Sequence, residues 1–97
     1  MLQSDNKPHY SEFEVLSAKL SSRLKEFRLE SGLTQKNIAE SAGITEQTYQ
    51  RFEQGLSNPG NPMNPRMFTI VALAKTFGMS ASELLDFSTD LEDKLPQ

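Results

Sequence analysis

Two short segments with helical apolar spacing sit on either side of one glycine, and this constrains the fold more than any other feature of the 97 residues. Thr34 stands ahead of Gln35, Ile38, Ala39 and Ala42, and Gly43 follows. Ile44 and Thr45 come next, then Tyr49 and Phe52, and Gly55 closes the second segment. A threonine oxygen can accept one of the first free N–H groups of a helix. A glycine can end a helix in the left-handed region without steric cost. Each segment therefore reads as a helix of about eight to ten residues, with only a few residues left for the turn. Two short helices separated by only a few residues around a glycine make the helix-turn-helix pattern.

The rest of the chain reads as further helix. Residues 1–9 are polar and contain Pro8, so residues 1–10 are expected to form a flexible arm. Ser11 and Glu14 have capping-box spacing, and apolar residues at 13, 16, 20, 24 and 27 predict a helix over 12–31, ended by Gly32. Between 56 and 66, Asn-Pro recurs at 58–59, 61–62 and 64–65. Each proline disfavours α geometry in the residue before it, so this is a loop, and Pro65 is expected in the first turn of the next helix. Ile70, Val71, Leu73, Ala74 and Phe77 mark that fourth helix, ended by Gly78. Ser80 and Glu83 form another capping box ahead of Leu84 and Leu85 in a short fifth helix. No segment reads as a strand. The expected architecture is all-α with five helices, a helix-turn-helix at about 34–54, a domain over 11–87 and a tail at 88–97.

Composition removes several function classes. With no cysteine, disulfide scaffolds, thiolate metal sites and cysteine nucleophiles are excluded. The one histidine, His9, leaves no histidine metal cluster. No metal or cofactor is expected. The carboxylates have no nucleophile or metal-ligand spacing, so an enzyme is the least favoured class. No apolar run is long enough to span a membrane, and a cytoplasmic protein is expected.

The formal charge of −3 argues, at face value, against a nucleic-acid partner. Its distribution changes that. Residues 19–66 carry Lys19, Arg23, Lys25, Arg28, Lys36, Arg51 and Arg66 against Glu26, Glu30, Glu40, Glu46 and Glu53, a net of +2. Residues 1–18 carry −2 and residues 67–97 carry −3. The middle is mildly basic and the flanks are acidic.

With these residues in place, a resemblance emerges. Residues 20–85 resemble the DNA-binding domain of the Cro/C1-type (XRE) helix-turn-helix regulators, such as the lambdoid phage repressors. The matching stretches are LKEFRLESGLTQKNIAESAGITEQTYQRFEQG and IVALAKTFGMSASELL. The specific parts are Gly-Leu-Thr-Gln before the second helix, small Ala39, Gly43 at the turn, Glu53 with Gly55, and the Leu-Ala…Gly-x-Ser ending. Two departures stand out. The segment between the third and fourth helices is several residues longer than usual, and Tyr49 replaces a branched aliphatic. Its hydroxyl is expected at the rim of the apolar seam formed with Ile38, Ala42, Ile44 and Phe52.

The resemblance makes the third helix the recognition helix that enters the major groove of double-stranded DNA. It places Thr45, Glu46, Gln47 and Arg51 where the family reads bases. Gln47 suits adenine, Arg51 suits guanine O6 and N7, and Glu46 suits cytosine N4. A carboxylate near phosphates is repelled, and Glu46 is equally readable as a favourable charge at a helix N-terminus. Thr34, Gln35, Gln54, Asn58 and Arg66 are the implied phosphate contacts, with Gln35 beside the positive end of the second helix. Arg28 and Glu53 match an ion pair between the first and third helices that orients the latter.

The implied function is a sequence-specific DNA-binding regulator, a repressor in particular, acting as a homodimer on a palindromic operator. Met79, Leu84, Leu85, Phe87, Leu91 and Leu95 supply the expected dimer surface. The rivals are a protein-interaction module on the same fold, or an antitoxin that binds both DNA and a toxin. The three prolines with Met63 could alternatively form a partner-binding loop.

Overall fold

The computed structural model describes residues 10–56 and 63–87. They form five helices: α1 (Tyr10–Ser31), α2 (Gln35–Ala42), α3 (Glu46–Gln54), α4 (Met67–Thr76) and α5 (Ala81–Leu84), and no strand occurs among them. The all-α expectation holds.

The local signals set most helix ends. Thr34 accepts from the Asn37 N–H at 3.0 Å, and Asn37 accepts from the Thr34 N–H, so α2 opens on a reciprocal box. Thr45 accepts from the Thr48 N–H at 3.1 Å. Ser80 and Glu83 form the box ahead of α5. The Ser80 backbone N–H also holds the Glu83 carboxyl below its ordinary range. Gly43 takes φ 74° at the turn, and the Ile44 N–H then bonds back to the Ala39 carbonyl at 3.0 Å. That closure lets α3 start three residues after Gly43.

Some boundaries differ. The first helix begins at Tyr10, so Ser11 lies inside it rather than capping it. Arg66 is the N-cap of α4, with no side-chain cap bond, which puts Pro65 ahead of the helix.

The core gathers Leu20 and Leu24 from α1, Ile38 and Ala39 from α2, Tyr49 and Phe52 from α3, Leu73 and Ala74 from α4, and Leu84 from α5. Helix α2 packs on α3 and α4, α1 packs on α3, and α5 packs on α4. Phe13, expected on the inner face, is 42% exposed, because it lies a turn before the first core contact of α1. Tyr49 is wholly buried rather than at the rim. Its hydroxyl donates to the Leu24 carbonyl at 3.4 Å, an anchor that a branched aliphatic does not offer.

Met63 is also in the core rather than on a partner-binding loop. Its N–H donates to the Gly55 carbonyl at 3.0 Å, and its carbonyl accepts from the buried Ser17 hydroxyl at 3.0 Å. The chain leaving α3 and the chain approaching α4 are thereby clamped together against α1. Gly55 suits the spot because it takes φ 78° and lies against Ser17 and Ser21. Leu84 is fully buried and so serves the domain's own interior, and Met79, Leu85 and Phe87 are half-buried against the core. Leu91 and Leu95 lie outside the described residues.

Candidate nucleic-acid interface

Helix α3 is short, and its outer face depends on what grips its inner one. Tyr49 and Phe52 bury one side. At helical spacing, Gln47, Gln50, Arg51 and Gln54 fall on the opposite side. Gln47, Arg51 and Gln54 are exposed and Gln50 is half-buried. Thr45 and Glu46 stand exposed at the N-terminal end, where Thr45 is occupied as the cap and Glu46 lies in the first turn. The helix dipole favours a carboxylate there.

Roll about the α3 axis is limited by a bidentate ion pair. Arg28 Nε donates to Glu53 Oε2 at 2.6 Å, and Nη2 donates to Oε1 at 3.0 Å. The Arg28 side chain is 19% exposed and that of Glu53 is 5% exposed. Burial pushes the Glu53 carboxyl up, but hydrogen bonds from Arg28, Tyr49 and Gln35 outweigh it and hold the group below the usual carboxylate range. Contact with Glu53 raises the Arg28 guanidinium further. Tyr49 is pushed well above its ordinary value by burial, and next by the neighbouring carboxylate. The fold therefore favours a neutral phenol between a fixed carboxylate and a fixed cation.

Gln35 joins this network. Its Nε2 donates to Glu53 Oε1 at 3.0 Å, which ties the start of α2 to the end of α3. One amide hydrogen is used there, and the second remains to donate outward. Beside it is a polar depression of about 340 Å³ lined by Lys25, Arg28, Gln35, Gln50, Glu53 and Gln54. The two glutamines expected at phosphate and the expected ion pair thus come together at one place. Thr34 and Arg66 are exposed and do not line it, and Asn58 lies outside the described residues.

Sequence reasoning missed Lys25. It sits one turn before Arg28 on the same side of α1, and that spacing was the available signal. Arg23, counted among the cations of the basic middle, is turned inward. Its Nε donates to the Leu84 carbonyl at 2.9 Å and its Nη2 to the Glu83 carbonyl at 2.7 Å, closing the end of α5. Its guanidinium lies 4.9 Å from the Phe27 ring centroid. Arg23 and Arg28 are therefore committed to internal contacts. No group of three metal-ligating side chains occurs among the described residues, and none of their helices is long and apolar enough to cross a membrane.

Comparison with known proteins gives this geometry a family. A helix-turn-helix family model matches residues 24–84, from the middle of α1 to the end of α5. The chain is 32% identical over 76 residues to the cryptic phage CTXphi transcriptional repressor RstR of Vibrio cholerae, covering 77% of this chain and 63% of that protein. It is 37% identical over 68 residues to the HTH-type transcriptional regulator DdrOP3 of Deinococcus deserti, covering 70% of this chain and 48% of that protein. The chain thus spans less than two thirds of the length of either relative. No solved structure matches it significantly. The match runs through every helix that positions the α3 face, and both relatives are transcriptional regulators. The chain belongs to the Cro/C1-type (XRE) helix-turn-helix family of DNA-binding transcriptional regulators.

Proposed function

We propose that the protein is a repressor that binds a palindromic operator as a homodimer, with α3 of each protomer in the major groove. The supporting observation is the α3 face itself. Gln47, Gln50, Arg51 and Gln54 point outward from a helix fixed by Tyr49, Phe52 and the Arg28–Glu53 pair. Arg51 pairs with guanine, Gln47 with adenine, and Thr45 and Glu46 read the adjoining edges, with Glu46 accepting from cytosine N4. Gln35, Gln54 and Lys25 seat a backbone phosphate at the polar depression, and Thr34, Asn58 and Arg66 contact neighbouring ones. Two-fold symmetry places the recognition helices about 34 Å apart, on half-sites one turn apart. The protein works in the cytoplasm, where its DNA is. Selection of bound sites from random DNA tests this reading. A palindrome with half-sites one turn apart is the expected result, and recovery of no enriched sequence refutes it.

A second reading has one observation in its favour. Met67 and Phe68, at the start of α4, are 77% and 86% exposed. Large apolar side chains side by side in water suit a protein partner, as in an antitoxin or an interaction module on this fold. Salt-dependent, sequence-selective binding in an anisotropy titration separates a module that has lost DNA from both other readings.

A further inference from the structure

Helices α1 and α3 are tied to each other at two levels. Tyr49 donates its hydroxyl to the Leu24 carbonyl at 3.4 Å, and Arg28 donates to Glu53 at 2.6 and 3.0 Å. In both helices the two attachment points are four residues apart, which is about 6 Å along each axis. The carbonyl that Tyr49 meets belongs to the turn of α1 from which Arg28 projects, since in an α-helix residue 24 accepts the N–H of residue 28. Both ties therefore anchor on one rigid piece of α1. A helix held at one point can pivot about it, whereas a helix held at two points a turn apart keeps its angle.

Leu24 and Tyr49 are both fully buried, so water does not compete for the bond between them. A branched aliphatic at position 49 would fill the core and leave the ion pair without this second tie. What the angle controls is next to the pair. Gln35 Nε2 donates to Glu53 Oε1 at 3.0 Å, the same oxygen that accepts from Arg28 Nη2. Gln35 is half-buried and has one amide hydrogen left to donate outward. The direction of that hydrogen follows the carboxylate, and the carboxylate follows the angle of α3.

We infer that the Tyr49 hydroxyl is a positioning group for the DNA backbone contact: it fixes α3 against α1 so that Glu53 aims the free amide hydrogen of Gln35 at a phosphate. Tyr49 itself lies in the core and touches no DNA. This role rests on the proposed phosphate contact of Gln35.

Tyr49→Phe keeps the ring and removes the tie. Two measurements on the full chain, each well below the Tm of every variant, test the role. In the free protein, hydrogen exchange of the Gln35 side-chain amide, read by nuclear magnetic resonance, is expected to speed up severalfold in Tyr49→Phe, with that of Gln47 on the outer face of α3 unchanged. In anisotropy titrations on a duplex recovered by selection, Tyr49→Phe is expected to weaken binding about fivefold, but by less than about twofold in a Gln35→Ala background. Unchanged exchange at Gln35 overturns the inference. So does an equal loss of affinity in both backgrounds, which a merely structural role would give. If the unsubstituted chain binds no DNA, the phosphate reading fails and the role of Tyr49 fails with it, whereas DNA binding with additive losses refutes the role of Tyr49 alone. If Tyr49→Phe does not fold, Tyr49→Leu replaces it in both measurements with the same outcomes expected.

Discussion

On the proposed reading, Arg51 reads a base and Gln35 holds a phosphate, which single substitutions separate. Arg51→Ala should cost about 1–3 kcal/mol on a site carrying guanine at its position and relax preference there. Gln35→Ala should weaken binding to every sequence alike, since phosphate carries no sequence information. Anisotropy titrations on matched and mismatched operators read both. The Arg28–Glu53 pair behaves differently again. Arg28→Ala strands a carboxylate that is 5% exposed, at a cost of about 3 kcal/mol. Replacing both partners with apolar side chains of similar volume should cost less, as urea midpoints will show. Because the Glu53 carboxyl is held below its ordinary range, its stabilisation is complete above that range. It is lost as pH falls through the lower value held in the fold, and the loss should vanish in Glu53→Gln. Tyr49 has the opposite sign. Its value is raised, so its contribution is intact below the ordinary phenol range near 10.0 and fades as pH climbs above it. Tyr49→Phe should flatten that alkaline limb of a Tm-against-pH curve.

At the scale of the elements, the turn between α2 and α3 carries the sharpest test. Gly43 sits at φ 74° with open space around the site of a Cβ, so Gly43→Ala meets backbone strain without a clash. The expected cost is about 1–2 kcal/mol, or roughly 4–8 °C in Tm per kcal/mol. This turn was fully legible in the sequence, because caps, glycines and apolar spacing are local signals acting within a few residues. The exposed face of α3 was legible for the same reason. What was not legible depends on partners far apart in the chain. Ser17 looks like any serine of an amphipathic helix, and only the return of the chain brings the Met63 carbonyl to it. Arg23 counts as a surface cation until α5 folds back onto it. The resemblance implies a phosphate contact for Gln35, and its bond to Glu53 needs two helices to meet. Leu84, one of the residues expected at a dimer surface, is taken wholly by the core, because spacing cannot show which of several apolar residues the core will bury.

For the whole molecule, the internal use of Arg23 and Arg28 reshapes the electrostatics. Four cations in residues 19–66 are exposed: Lys25, Lys36, Arg51 and Arg66. Even if each neutralises one phosphate per protomer, the log–log salt slope of a dimer should be no steeper than about −7. Affinity measured across a range of potassium chloride checks this, and a steeper slope points to cations outside that stretch. Weak steering by charge leaves selectivity to hydrogen bonds and, on the proposed reading, to the pairing of protomers. The clamp at Gly55, Ser17 and Met63 has a consequence of another kind. By joining the end of α3, the approach to α4 and the middle of α1 at one point, it makes the aim of α3 depend on the seating of α4, so loosening either bond of the clamp loosens both helices.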